Sequence, residues 1–206
     1  MDGVIVDSEP RHERAFLEVV REIGHEDKLE LRFADYIGRS DHELWVDFVA
    51  RHQPSQSAED LLVRKRQRMI EIIRREQPLF DAVPALVQKL AGRYALALAS
   101  GSERLVVAEV LKLKSLDRFF SAVVTASDIQ NGKPAPDIFL RTAELLRVPP
   151  QGCVVIEDSK PGIAAGLAAG MQVIAITNTH PAAELRHATH VVRTYEEMER
   201  LLLEAQ

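Results

Sequence analysis

The sequence predicts an α/β protein: a doubly wound, Rossmann-like parallel-sheet core with a small helical bundle inserted near its amino end. Three observations carry that expectation. From residue 78 onward, short apolar runs alternate with helical patterns. The runs lack polar alternation, which suits strands buried on both faces of a parallel sheet. Residues 9–77, by contrast, have helical periodicity only. At 206 residues the chain is long enough for such a core plus a small cap.

The elements follow in order. Phe16, Val19, Val20 and Ile23 fall on one helical face, and Gly24 is a natural stop. Ser40-Asp41-His42-Glu43 reads as a capping box opening a helix with Leu44, Phe48 and Val49 turned inward. Residues 52–56 form a loop, and Ser57 caps a third helix whose apolar positions include Leu61, Leu62, Met69, Ile72 and Ile73. Trp45 is expected inside this bundle. These segments assign 9–77 to a helical cap, and 1–8 with 78–206 to the core. In the core, strands are expected over Tyr94 to Ala99, Ala122 to Thr125, Val154 to Ile156 and Val173 to Ile176, with a β-like segment from Thr189 to Val192. Helices are expected over Arg104 to Leu111, Asp137 to Leu146, Ile163 to Ala169 and Tyr195 to Leu203. Ligands of such a sheet bind at the carboxyl ends of its strands.

Composition narrows the function classes. A net charge of −5 argues against a general nucleic-acid binder, while leaving room for a local positive pocket for an anionic metabolite. Cys153 is the single cysteine, so no internal disulfide can form and a reducing, cytoplasmic setting is expected. No apolar run approaches membrane-spanning length, and no basic segment leads into an apolar one at the amino end.

The chemistry-bearing residues sit just after the apolar runs. Ser100-Gly101-Ser102 places a hydroxyl and free backbone N–H groups at a strand-to-helix turn, where an anion can be held. Such turns are ordinarily only turns. Gly132-Lys133-Pro134-Ala135-Pro136-Asp137 places a lysine in a stiff loop, which suits a cation held ready for phosphate, although a solvent lysine beside a helix start is the plainer alternative. Glu157 and Asp158 end a buried run. Adjacent carboxylates there repel and call for a cation such as Mg²⁺, unless the pair is exposed and Asp158 or Ser159 simply caps a helix.

In combination these stretches are more specific. Asp2-Gly3-Val4-Ile5-Val6-Asp7-Ser8-Glu9-Pro10, Ser100 after a strand, Gly132-Lys133-Pro134-Ala135-Pro136-Asp137-Ile138-Phe139, and Ile156-Glu157-Asp158-Ser159-Lys160-Pro161-Gly162-Ile163 occur in this order. The chain resembles, over almost its whole length, the haloacid dehalogenase (HAD) superfamily of phosphotransferases. Within it, the strings look like the β-phosphoglucomutase-like branch of sugar phosphatases and phosphomutases. In that family a hydrophobic strand delivers Asp-x-Asp-Gly. Asp2 and Gly3 match the second Asp and the Gly, so the first Asp, the family nucleophile, falls immediately before Met1 together with the first core strand. That strand lies between the strands ending at Ala99 and Ile156, so its absence would leave two inner sheet edges unpaired, at about 1–3 kcal/mol per buried group.

The resemblance implies these roles. Asp2 is the general acid/base, with its carbonyl a Mg²⁺ ligand. Ser100 and Lys133, with Gly101 and Gly3, hold the transferring phosphoryl group. Glu157 and Asp158 bind Mg²⁺, Asp158 being the firmer ligand. The nucleophile forms an aspartyl phosphate. Dehalogenation is not expected, because a halide needs no acid like Asp2.

The resemblance also implies that the cap chooses the substrate, with His12, Arg39 and Lys65 as its candidates, a solvent-facing place on the first cap helix being the equal alternative for His12. Arg64, Lys65 and Arg66 form a basic run that on such a helix is more often a solvated face. Asp41 and Glu103 stand where the mutases carry basic residues, which favours a phosphatase of small phosphorylated metabolites over a β-phosphoglucomutase-type enzyme. A catalytically inactive binding protein or fragment is the alternative of another class. No nucleic-acid or membrane partner is expected, and the oligomeric state is read as monomer or weak dimer.

Overall fold

The computed structural model describes residues 1–36 and 41–204. Two compact units make up the chain, one of residues 1–7 and 79–206 and the other of residues 8–78.

The second unit is a helical bundle. Helices α1 (Glu9–Glu22) and α2 (Asp41–His52) each pack on α3 (Ala58–Glu76). Their shared core contains Phe16, Val19, Val20, Leu44, Trp45, Phe48 and Leu61. Trp45 is wholly buried there, its ring 5.0 Å from Phe16 and 5.3 Å edge-on from Phe48. The start of α3 is fixed by a capping box, in which Ser57 Oγ accepts from the Asp60 N–H at 3.1 Å and Asp60 accepts from the Ser57 N–H at 3.4 Å. The chain leaves α1 through Gly24 at φ +73°, a left-handed conformation that favours glycine. Ser40, expected to cap α2, and Arg39 lie outside the described residues.

The first unit is α/β. Its strands are β1 (Leu96–Ser100), β2 (Phe120–Thr125), β3 (Val154–Glu157), β4 (Gln172–Ile176) and β5 (His190–Val192), and its helices are α4 (Val83–Ala91), α5 (Arg104–Lys112), α6 (Asp137–Leu146), α7 (Lys160–Ala168) and α8 (Tyr195–Leu203). Every ladder is parallel: β1 pairs with β2, and β4 lies between β3 and β5. Among the described residues no ladder joins β1 to β3. The apolar runs without alternation are explained by layers on both faces. Val173 and Ala175 of β4 turn into a core shared with Ile138 and Phe139 of α6 and Ile163 of α7. Ile174 and Ile176 turn into another with Leu86 and Leu90 of α4 and Met198 of α8. This is the doubly wound arrangement expected from the sequence.

Several boundaries shift by one to three residues, β2 beginning at Phe120 rather than Ala122 among them, and two of the shifts have clear causes. Strand β1 begins at Leu96 rather than Tyr94, because the Tyr94 N–H still bonds the Leu90 carbonyl at the end of α4 and its hydroxyl donates to the Leu202 carbonyl at 2.5 Å. Helix α7 begins three residues early, since Ser159 caps it by accepting from the Gly162 N–H at 3.2 Å and Pro161 fits the first turn. The sequence reading leaves α4 unmarked, although Val83, Leu86, Val87 and Leu90 repeat at helical spacing behind Pro84. Among the described residues no helix is long and apolar enough to cross a membrane.

At the end of β2, Asp128 accepts from the Thr125 N–H at 2.7 Å and the Thr125 hydroxyl at 2.9 Å, and pairs with Arg104. The Thr125 N–H, the Thr125 hydroxyl and Arg104 outweigh burial and hold the Asp128 carboxyl below the usual range. A carboxylate with a lowered folded pKa stabilises above its unfolded value of about 3.9 and loses that contribution as pH falls through the folded value. Asp128→Ala is therefore expected to lower stability by about 1 kcal/mol at pH 7. The difference should shrink below about pH 4. Urea denaturation across that range checks it, and a pH-independent difference would contradict the pairing.

Candidate active site

The residues singled out from the core sequence gather around the carboxyl ends of β1 and β3. Ser100 is the last residue of β1 and only 2% exposed. Its Oγ donates to Asp2 Oδ2 at 3.2 Å, and the Ser102 hydroxyl donates to the same oxygen at 2.8 Å. The Ser102 N–H returns to Ser100 Oγ at 3.1 Å, so the turn is closed on itself. Gly101 is exposed, with open space where a side chain would go.

Asp2 is presented by a tight turn in which the Met1 carbonyl accepts from the Val4, Ile5 and Val6 N–H groups. The Gly3 N–H is spent on the Val6 carbonyl at 2.9 Å. Gly3 has φ +63°, and a β-carbon there would overlap the Asp158 carboxylate and crowd the Thr179 hydroxyl. Two conditions thus require glycine: the left-handed backbone and the approach of Asp158. Behind the turn, Asn178 donates to the Gly3 carbonyl and to the Tyr195 hydroxyl, each at 2.8 Å, and that hydroxyl donates to the Val4 carbonyl at 2.8 Å. Burial raises the Tyr195 pKa, keeping the hydroxyl a donor.

Glu157 and Asp158 have opposite fates. Burial works against the Glu157 carboxylate, but the Lys133 ammonium paired with it, together with the Ser159 hydroxyl, holds it below the usual range. It also accepts from the Asp158 N–H at 3.0 Å, the Ser159 N–H at 3.2 Å and Ser159 Oγ at 2.9 Å. Gly162 lets this happen, because a β-carbon there would overlap the Glu157 carboxyl group. Asp158 lacks such a cation. Burial first, then the neighbouring Glu157 charge and Asp2, push its carboxyl up to about 6, against the Thr179 hydroxyl. Lys133 is half-buried, 5.1 Å from the Phe139 ring centre, and its peptide bond to Pro134 is cis.

Among the described residues no three His, Cys, Asp or Glu side chains come together as a metal cluster. What is present is a buried acidic pair beside Asp2, with oxygen donors only. That donor set suits a hard cation taking one or two carboxylates and further oxygens.

In the helical unit, Lys65, the member of the basic run named as a cap candidate, is fully buried, unlike a residue of a solvated face. Its ammonium pairs with Asp41, lies 3.2 Å from His12 Nδ1 and sits 5.6 Å from the Phe33 ring centre. Arg64 is on the surface and bonds Glu22 at 2.5 Å. Sequence reasoning passed over Ser102 as a donor to Asp2, and Asn178, Thr179 and Tyr195 altogether. Asn178 and Thr179 follow β4 as Ser100 follows β1, so the rule of strand carboxyl ends was the signal that could have found them.

Comparison with known proteins adds a family to this geometry. A profile of haloacid dehalogenase-like hydrolases matches residues 1–170. A fructose-1-phosphate phosphatase, YqaB, of Escherichia coli is 34% identical over 179 residues, covering 84% of this chain and 92% of its own. Hexitol phosphatase B of the same organism is 32% identical over 179 residues, covering 85% of this chain and 80% of its own. The crystal structure of a β-phosphoglucomutase from Clostridium difficile superposes with a TM-score of 0.80 at 22% identity, covering 98% of this chain and 94% of that one, a likeness of fold alone. The order of motifs, the doubly wound core and a match over most of the sequence agree, and this chain belongs to the haloacid dehalogenase-like hydrolases.

Proposed function

We propose that this chain is the body of a Mg²⁺-dependent phosphatase of small phosphorylated metabolites, sugar phosphates above all, working through an aspartyl phosphate. The observation that carries the reading is the pinning of Asp2 by the Ser100 and Ser102 hydroxyls beside Asp158, with Lys133 on Glu157. An acid/base carboxyl, hydroxyl donors, a cation and an acidic pair are thereby collected at strand ends. The relatives named as fructose-1-phosphate and hexitol phosphatases support the substrate class.

In this reading the attacking carboxylate belongs to the motif position immediately before Met1. Asp2 protonates the leaving oxygen and, once ionised, takes the proton of the water that relieves the aspartyl phosphate. The Ser100 hydroxyl and the Lys133 ammonium trade Asp2 and Glu157 for oxygens of the phosphoryl group. Asp158, Glu157 and the Asp2 carbonyl would hold Mg²⁺, which would supply the positive charge that offsets repulsion between carboxylate and phosphoryl oxygens. Glu157 keeps Lys133 and the start of α7 in place, so Asp158 is the firmer ligand.

Two observations favour hydrolysis over mutase chemistry. A mutase must grip a bisphosphate at both ends, yet the Lys65 charge is already neutralised by Asp41 within the helical unit. Glu103 adds an acidic residue just before α5.

A version carrying a hydrophobic strand ending in Phe-Asp ahead of Met1 is expected to release inorganic phosphate from fructose 1-phosphate and hexitol phosphates in Mg²⁺, and the chain of residues 1–206 is not. Lys133→Ala in the active version should lower kcat by about 10²-fold or more. Asp158→Asn should abolish the response to Mg²⁺. Interconversion of β-glucose 1-phosphate and glucose 6-phosphate, primed by a bisphosphate and with little phosphate released, would overturn the reading in favour of a mutase. Substrate binding with no turnover would favour an inactive binding protein.

Gly162→Ala tests the seat of Glu157 separately. The added methyl displaces that carboxylate, and thermal melts should report a loss of about 1–3 kcal/mol.

A further inference from the structure

The turn that presents Asp2 is held loosely from within. Its Met1 carbonyl accepts from the Val4, Ile5 and Val6 N–H groups at 3.2, 2.7 and 3.3 Å. A carbonyl oxygen has two lone pairs, so three donors share what two can use well. Gly3, at φ +63° and without a β-carbon, puts the softest backbone position next to Asp2. By its own bonds alone, such a turn would let the Asp2 carboxyl drift from the Ser100 and Ser102 hydroxyls.

Three successive carbonyls of the turn are instead held by distant residues of the same unit. The Gly3 carbonyl accepts from Asn178, the Val4 carbonyl from the Tyr195 hydroxyl and the Ile5 carbonyl from the Phe80 N–H. A carbonyl only accepts, so the Asn178 atom facing Gly3 is the amide nitrogen, whose second proton goes to the Tyr195 oxygen. The single Tyr195 proton is then spent on Val4, and the relay Asn178 to Tyr195 to Val4 has one direction. The Tyr195 ring lies 5.8 Å from the ring of Phe80, the residue that holds Ile5. Both side chains stand at the ends of regular elements. Asn178 lies just past β4, and Tyr195 opens α8, whose start is fixed where Thr194 accepts from the Glu197 N–H at 3.2 Å.

Holding the Gly3 and Val4 carbonyls fixes two successive peptide planes, and the Gly3 N–H bond to the Val6 carbonyl fixes the plane before them. Those planes set the direction in which Asp2 leaves the backbone. We propose that Asn178 and Tyr195 are positioning residues that lock the 2–6 turn and thereby keep the Asp2 carboxyl aimed for proton transfer. The proposal rests on the phosphatase reading for the chemical part of Asp2, and the brace itself is a matter of geometry. Neither residue is a catalytic residue, since both act through the turn.

Tyr195→Phe keeps the ring against Phe80 and removes only the hydroxyl, and Asn178→Ala removes the other half of the brace. Both are made in the strand-bearing version described above. Hydrogen exchange of the residue 3–6 amides should quicken about tenfold, as loss of one hydrogen bond implies, while the 172–176 amides of β4 and the thermal midpoint hold. Unchanged exchange at 3–6 in both variants, or equal quickening in β4, would overturn the proposal. The second measurement compares two esters. The alkoxide of fructose 1-phosphate needs an acid to leave, whereas the nitrophenolate of p-nitrophenyl phosphate leaves unaided. For Tyr195→Phe, kcat/KM should fall about tenfold with fructose 1-phosphate, part of the 10²–10⁴-fold that an acid/base group supplies, and less than about twofold with the aryl ester. Equal losses with both esters would mean a general structural role and would overturn the proposal. If the unsubstituted version releases no phosphate from either ester, the phosphatase reading falls by itself, and faster exchange confined to residues 3–6 still supports the brace.

Discussion

The buried pairing of Lys133 with Glu157 is the contact on which the arrangement of the core site depends. Glu157 ends β3, Lys133 belongs to the loop ahead of α6, and the same carboxylate receives the N–H groups of Asp158 and Ser159 at the start of α7. One side chain thus ties a strand end, a loop and a helix start together. Removing one member of a buried pair typically destabilises by about 3–5 kcal/mol, because the other is left charged without a partner. The contact also decides how the two adjacent carboxylates differ. With the lysine charge taken by Glu157, Asp158 is left buried beside like charges, and it becomes the carboxyl in need of a cation.

How much of this was readable beforehand depended on the range of the interactions involved. Helices α6 and α8 agree with their expected limits, because capping and apolar periodicity are local properties. Ser100, Lys133, Glu157 and Asp158 could be singled out as candidates because each follows an apolar run. Tyr94 misled because its β-forming side chain is used by the end of α4 and by the Leu202 carbonyl, both outside any sequence window. Tyr195 was invisible for the same reason, and Asn178 and Thr179 carried only the signal of following β4. Their partners are the backbone of residues 3 and 4 and the Asp158 carboxyl, distant in sequence.

Lys65 makes the same point within the helical unit. Its neighbours Arg64 and Arg66 suggest a solvated stripe, the resemblance singles out Lys65 among them, and the tertiary fold turns position 65 inward to Asp41 and His12. A fully buried ammonium requires a compensating anion. The acidic residue at 41 is that anion, so the pair acts as a unit and presents little net charge of its own.

The paired arginines at the start of α1 bear on how the chain reaches its fold. Arg11 and Arg14 both bond Glu76 at the end of α3, so residues near 8 and near 78 are brought side by side by contacts internal to the helical unit. In the first unit, Val6 and Leu79 form an antiparallel bridge, and the Phe80 N–H donates to the Ile5 carbonyl at 3.2 Å. Joining residues 6 and 79 in an unfolded chain means closing a loop of roughly 70 residues, an entropy cost of about 4 kcal/mol plus a constant. Local helix pairing is fast because its contacts are short in sequence. Once the bundle has formed, that loop is already shut, and the discontinuous unit can fold with the kinetics of a shorter, continuous chain.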